Sequence, residues 1–206
     1  MRTLVGDIPA GWSEVLLGEV CGLVTGANVS PEASGEDVPL VKPRNIGDGR
    51  LIEEPDRITG EAAAALSRYR LAAGDVVCVR TGGIGRHALV ASEHEGWLFG
   101  TGVIRLRPER IDSRYLNRYL SHPLVQDWLR RNAAGSAIPS ISGRALGTLP
   151  VALPPIETQR EIGEILGVLD EKIAVYEQIS RVTAELRDTL LSRFLDDSDG
   201  TTESRS

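Results

Sequence analysis

Residues 157–195 run for almost forty positions without a proline. Their apolar side chains recur at helical spacing: Ile162, Leu166, Leu169, Ile173 and Tyr176 follow at intervals of 4, 3, 4 and 3. The stripe resumes at Ile179, Val182, Leu186, Leu190 and Phe194, and the step of three from Tyr176 to Ile179, where four was due, is a stammer in the heptad. This pattern predicts one continuous helix, about 60 Å long at ~1.5 Å per residue. Such a rod outruns the domain that precedes it, so part of its seam is expected to pack against another long helix. A helix folded back on its own domain is the alternative. After it, Asp196 to Ser206 is acidic and polar and reads as a disordered tail.

The preceding residues change character twice. Residues 1–110 are strand-like, with short apolar or alternating runs cut by Gly, Pro, Asn and Asp. Strands are expected at Ser13–Leu17, Val20–Val24, Pro39–Val41, Val76–Arg80, Ala88–Ala91 and Gly102–Leu106. Loops lie at Thr25–Asp37, Lys42–Gly49 and Thr81–Arg86, and the alanine-rich Glu61–Arg68 reads as a short helix. From 112 the period becomes helical. Asp112 or Ser113 can cap a helix carrying Tyr115, Leu116, Tyr119 and Leu120, and Pro123 suits the first turn of a second one through Leu124, Val125, Trp128 and Leu129. A small-residue loop, Gly135–Gly143, leads to a short strand at Thr148–Leu153 and then Pro154-Pro155. The fold class is therefore α+β: a strand-rich domain with small helices over 1–155, a long coiled-coil-type helix over 156–195, and a tail over 196–206.

Charge narrows the function. The chain has 206 residues and a net charge of −6. Residues 1–155 carry 17 basic and 17 acidic side chains, so the whole deficit lies beyond them. Anion binding is allowed, but an indiscriminate, charge-driven grip on phosphate is not expected. Only Lys42 and Lys172 of the 23 basic residues are lysine. Arginine suits bidentate contacts to phosphates and guanines, though a GC-rich genome produces the same bias. No apolar run approaches the ~18 residues needed to span a bilayer. The N-terminus reaches Asp7 without the apolar core of a signal peptide, so a cytoplasmic location is expected. Cys21 and Cys78 have no metal-ligand spacing and read as two small buried side chains.

No active site is legible. His87, His94 and His122 sit in no recognisable catalytic frame. Glu93-His94-Glu95 resembles a metal cluster, but three consecutive residues do not converge on one ion in a strand or helix, and a solvated loop is the better reading. Asp170-Glu171-Lys172 matches part of a nuclease pattern, yet it lies on the long helix as surface charge. Thr81-Gly82-Gly83-Ile84-Gly85-Arg86 fits neither the phosphate loop nor the dinucleotide pattern, and no adenine-methyltransferase motif of the Asn/Asp-Pro-Pro-aromatic type is present. What remains are glycine-rich loops tipped with Arg, Lys, Asn, Thr and Ser. Asn and Arg can contact base edges, and Ser, Thr and backbone N–H groups can hold phosphates.

Several ordered segments carry a resemblance. Ile8-Pro9-Ala10-Gly11-Trp12-Ser13 with Leu17-Gly18-Glu19-Val20-Cys21, and Val24-Thr25-Gly26, open it. Val38-Pro39-Leu40-Val41-Lys42-Pro43-Arg44-Asn45-Ile46, Leu71-Ala72-Ala73-Gly74-Asp75-Val76-Val77 and Arg80-Thr81-Gly82-Gly83-Ile84-Gly85-Arg86 continue it. The most specific run is Pro139-Ser140-Ile141-Ser142, Leu149-Pro150-Val151-Ala152-Leu153-Pro154-Pro155, Glu157-Thr158-Gln159 and Ile162, where strand, double proline and long helix come in fixed order. Together they resemble the specificity subunit of type I restriction–modification systems, in a form with one target-recognition domain and one helical spacer where the family usually has two of each. In Glu157-Thr158-Gln159 the family's adjacent Glu-Gln is replaced.

The resemblance implies a non-catalytic chain that reads one half of a bipartite DNA site. It implies docking of an adenine methyltransferase subunit, which carries the S-adenosylmethionine, and of a restriction subunit where one exists; no cofactor is expected in this chain. It implies a homodimer through antiparallel helices, with Ile162, Leu166, Leu169, Ile173, Tyr176, Ile179, Val182 and Leu186 in the seam. The candidate DNA contacts are Thr25, Gly26 and Asn28; Lys42, Arg44 and Asn45; Arg80, Thr81, Arg86 and His87; and Ser136, Ser140 and Arg144. Two other functions compete: an adaptor or truncated paralogue that keeps only the helical assembly role, and an independent nuclease or methyltransferase.

Overall fold

A computed structural model describes residues 2–52, 54–135 and 137–199. The chain forms twelve strands and six helices among these residues. The hairpin β1 (Arg2–Thr3) and β2 (Gly6–Asp7) precedes β3 (Ser13–Leu16), the single helical turn α1 (Leu17–Val20) and β4 (Cys21–Thr25). Next come β5 (Ser34–Val41), β6 (Asp48–Arg50), β7 (Asp56–Ile58), α2 (Gly60–Ala64), β8 (Val76–Val79), β9 (His87–Leu89), β10 (Leu98–Phe99) and β11 (Val103–Pro108). The chain then forms α3 (Ser113–Leu120), α4 (Pro123–Arg131), α5 (Gly143–Gly147), β12 (Pro150–Leu153) and α6 (Ile156–Asp199). This is the expected α+β architecture with a long C-terminal helix.

The central sheet has the order β4-β11-β8-β9-β6, antiparallel except for the parallel pair β6–β9. A three-stranded sheet, β10-β5-β7, runs β10 parallel to β5. A two-stranded ribbon pairs β12 with β3, Val151 opposite Val15. Alternation along β8 and β11 divides the apolar residues between two cores. Val76, Cys78, Ile104 and Leu106 face one shared with Leu116, Leu120, Leu146 and Leu149. Val77, Val79 and Val103 face a second with Val41, Ile46 and Phe99. All four residues of β8 are buried, as a strand covered on both faces requires. Cys21 and Cys78 are free thiols inside the first core, and burial pushes the Cys21 thiol up to about 12.

Local chemistry explains the helix starts. The Asp112 carboxylate accepts from the Tyr115 N–H at 2.9 Å, and Pro123 opens α4. From the sequence, one strand is expected to end at Leu17 and the next to start at Val20. Leu17 and Val20 instead belong to α1, whose buried face meets the first core, and the Leu17 N–H donates to the Leu149 carbonyl at 2.9 Å. The short helix α5 begins at Gly143, the last residue of the expected loop, after Ser142, whose hydroxyl accepts from the Ala145 N–H at 3.1 Å. The long helix also corrects the tail. It continues through Asp199, so residues 196–199, expected to be disordered, are helical. Each further residue adds a hydrogen bond without a new nucleation cost, and no helix breaker intervenes before Gly200. The rest of the tail lies outside the described residues.

Contacts divide the chain into two units, one reaching to Glu164 and one from Ile165 onward. The first two turns of α6 therefore belong with the strand-rich unit, and Gln159 anchors them. It is 2% exposed; its Oε1 accepts from the Asp112 N–H at 2.8 Å and its Nε2 donates to the Pro154 carbonyl at 2.8 Å. Gly163 lets the next turn come close, since a Cβ there would lie 2.8 Å from Arg114 Cβ. Ile162, placed in the seam by the sequence, is half-buried against the first core. In the second unit the apolar stripe is open: Leu169 is 50%, Ile173 54% and Tyr176 71% exposed. No described helix is long and apolar enough to cross a membrane. Gln159→Ala is expected to destabilise the first unit by about 1–3 kcal/mol in urea unfolding, because it leaves two buried backbone groups unpaired. Glu157→Ala, on the exposed side, is expected to change stability by less than about 0.5 kcal/mol.

Candidate nucleic-acid interface

Strand direction brings the loops together. β4 ends at Thr25 beside the start of β11, where Ile104 pairs with Thr25. β8 ends at Val79 opposite Val103, β9 begins at His87 opposite Cys78, and β6 begins at Asp48 beside His87. In the neighbouring sheet β5 and β10 both run out at this edge, with Phe99 beside Val41. The segments after Thr25, after Val41, after Val79 and after Phe99 thus leave from one edge. Residues 134–135 and 137–141 join them through the bridge of Thr81 with Ser140 and the hydrogen bond from the Ile141 N–H to the Arg80 carbonyl at 2.9 Å.

The first loop is held by a close backbone approach. A Cβ at Gly26 would sit 2.0 Å from the Gly100 carbonyl oxygen, and the Gly26 N–H donates to the Val103 carbonyl at 2.9 Å. Gly26 is therefore buried as a packing residue, while Asn28 is exposed and Thr25 half-buried. In the second loop Asn45 is 1% exposed. Its Oδ1 accepts from the Lys42 N–H at 2.9 Å and its Nδ2 donates to the Glu54 carbonyl at 3.2 Å, so both ends of the amide shape the turn. Lys42 and Arg44 remain at the surface.

In the third loop Arg80 and Arg86 are half-buried. Arg80 Nε donates to the Ile141 carbonyl at 3.4 Å, and Arg86 Nη1 donates to the Ile46 carbonyl at 3.3 Å, tying the third loop to the second. His87 is 2% exposed, with Nδ1 2.8 Å from the Gly85 carbonyl and Nε2 2.9 Å from the Asn117 carbonyl. Ser140 is half-buried beside Thr81, itself half-buried, and Arg144 is exposed on α5. Ser136 lies outside the described residues. The structure thus gathers the described loop candidates on one edge, with α5 and its Arg144 adjoining it where a Cβ at Gly143 would lie 3.8 Å from Thr25 Oγ1, but puts Gly26, Asn45 and His87 inside the fold. Their polar groups serve neighbouring loops, which corrects the expectation that these three candidate DNA contacts are available at the surface.

One further loop, outside the candidate set, lies at the same edge. Gly100-Thr101-Gly102 joins β10 to β11 between the first and third loops, with Thr101 exposed and its carbonyl 3.5 Å from Arg80 Nη1. A threonine bracketed by glycines was the available signal, like Thr25-Gly26. No described group of three or more His, Cys, Asp or Glu could hold a metal ion. In the Glu93-His94-Glu95 segment the His94 ring packs edge-on against Trp97 at 4.6 Å and its Nδ1 accepts from the Ala91 N–H. Partial burial there lowers its pKa.

The profile of the type I restriction modification DNA specificity domain matches residues 9–183. The chain belongs to this family. It is 27% identical over 162 residues to the type I restriction enzyme EcoBI specificity subunit of Escherichia coli, covering 75% of this chain and 34% of that protein. It is 24% identical over 182 residues to the putative type I restriction enzyme MjaX specificity subunit of Methanocaldococcus jannaschii, covering 84% of this chain and 42% of that one. The fold is shared with a chain of a solved type I R-M system (TM-score 0.69, 22% identity, covering 93% of this chain and 46% of the other). It is also shared with the HsdS subunit of Thermoanaerobacter tengcongensis (TM-score 0.64, 21% identity, covering 84% and 40%). This specificity-domain chain spans less than half the length of those relatives.

Gln159, at the start of the long helix, is the buried anchor described above. Asn45→Ala is expected to lower unfolding free energy by about 1–3 kcal/mol because two hydrogen bonds go unmade. Arg44→Ala, removing a half-exposed side chain, is expected to shift it by less than about 0.5 kcal/mol in the same titration.

Proposed function

We propose that this chain is the DNA-reading specificity component of a type I restriction–modification system, contributing recognition and no catalysis. The observation that carries the proposal is the single edge at which Asn28, Lys42, Arg44, Arg80, Thr81, Thr101, Arg86, Ser140 and Arg144 collect. Both faces of β8 and β11 are covered, so the strand ends are what the central sheet offers to a partner. The edge supplies the groups that DNA recognition uses: arginines for guanine O6 and N7, asparagine for adenine, and hydroxyls and backbone N–H groups for phosphate. The neutral charge of residues 1–155 favours readout of base edges over a purely electrostatic grip.

The open stripe on α6 supports the second part of the proposal. Two copies pair through antiparallel helices and hold two reading edges at a set separation, giving a palindromic target split by an unread spacer. The seam comprises Leu166, Leu169, Ile173, Tyr176, Ile179, Val182 and Leu186, with Ile162 at its margin. An adenine methyltransferase bearing S-adenosylmethionine docks on the assembly in the cytoplasm, and a restriction subunit joins where present.

Selection from random duplexes, with the chain and its methyltransferase together at moderate salt, is expected to enrich one split motif; an unchanged pool would refute the reading. Light scattering is expected to give about twice the 22.2 kDa chain mass. Charged residues at Leu166 and Leu169 are expected to return it to the monomer, since each buried leucine contributes ~1.5–3 kcal/mol. The adaptor alternative requires that replacing Arg44, Arg80 and Arg86 together by Ala leave methylation unaffected.

A further inference from the structure

The cations of the reading edge differ in what they hold. Arg80 and Arg86 donate to backbone carbonyls, whereas Lys42 and Arg44 converge on one carboxylate. Lys42 Nζ lies 2.6 Å from Asp56 Oδ2, and Arg44 Nη2 pairs with Asp56 Oδ1. Backbone pairing fixes this meeting. Asp56 opens β7 opposite Leu40 of β5, two residues before Lys42. The three side chains are 39–50% exposed, so the cluster stands at the surface. The two cations hold the Asp56 carboxyl below the usual carboxylate range.

Ion pairs this exposed add little to folding stability, so holding the fold together does not account for the carboxylate. On a surface that reads DNA it has two physical effects. It fixes two long, rotamer-rich cations relative to each other, while each keeps further donors: an ammonium has three and a guanidinium five. It also offsets one of their two positive charges. Attraction to phosphate is the sequence-independent part of DNA binding, and contacts to base edges are the selective part. We infer that Asp56 is a specificity-determining residue of this edge, positioning Lys42 and Arg44 for base edges and reducing their indiscriminate attraction to phosphate. The inference rests on the DNA-reading proposal and deepens it.

The test measures fluorescence anisotropy of the full chain with its methyltransferase, across a salt series. The two probes are a duplex carrying the selected motif and its scramble of equal length. Asp56→Asn is expected to raise affinity for the scramble several-fold and to steepen the log–log salt dependence by about 0.9 for each additional phosphate neutralised. Discrimination between the duplexes is expected to fall about tenfold, the order that one good base contact supplies. Asp56→Glu, which restores the carboxylate, is expected to recover most of the discrimination. Arg44→Ala is expected to lower affinity for the selected duplex more than for its scramble. Asp56→Asn with unchanged discrimination and salt dependence would overturn the role. So would an equal loss of affinity for both duplexes, in Asp56→Asn and Asp56→Glu alike, accompanied by a lower Tm. A wild-type chain that cannot tell any selected duplex from its scramble overturns the DNA-reading proposal itself, and the role of Asp56 with it.

Discussion

Two-sided burial of the central sheet is the constraint on which the rest of this molecule depends. Val76, Cys78, Ile104 and Leu106 enter one core while Val77, Val79 and Val103 enter another. A strand covered on both faces has only its ends left to expose. Strand order then decides what those ends present. β4 and β8 end, and β11, β9 and β6 begin, at a common edge. The gathering of these loops is thus a by-product of sheet topology.

The same logic explains why polar residues in these loops divide into two kinds. A loop squeezed between strand ends must satisfy its own backbone groups, and buried polar atoms without partners are costly. Asn45, His87 and Gly26 meet that requirement: a side-chain amide that shapes a turn, an imidazole between two carbonyls, and a glycine at a close backbone crossing. Lys42, Arg44, Asn28 and Arg144 stand on the frame so built. Exposed and framing residues alternate within a few positions, which is why residue type and loop membership alone group them together.

The long helix shows a related division of labour. Its first two turns are part of the strand-rich unit, tied by Gln159 and by the close approach at Gly163. From Ile165 onward its large apolar residues are exposed. The motif Glu157-Thr158-Gln159 therefore sits in the part of the helix that has a folding role, before the exposed stretch begins at Ile165. The stammer at Tyr176–Ile179 falls within the exposed stretch, where it locally shifts the phase of the apolar stripe.

Much was legible in the residues themselves, because it rests on local chemistry. Hydrophobic period marked the long helix and the α3–α4 pair. Asp112 and Pro123 marked their starts, and alternating apolar runs located most of the central strands. Long-range pairing was not legible. β6, β7 and β10 are two or three residues long and exist because partner strands lie beside them. The turn of α1 exists because Leu17 and Val20 have a core to enter. The family was readable from ordered motifs, since those motifs are the turns and strand ends that the fold requires. Which motif residues face outward was settled only by tertiary structure. Exposure depends on what packs against a side chain, and for Asn45, His87 and Gln159 those partners lie up to 47 residues away along the chain.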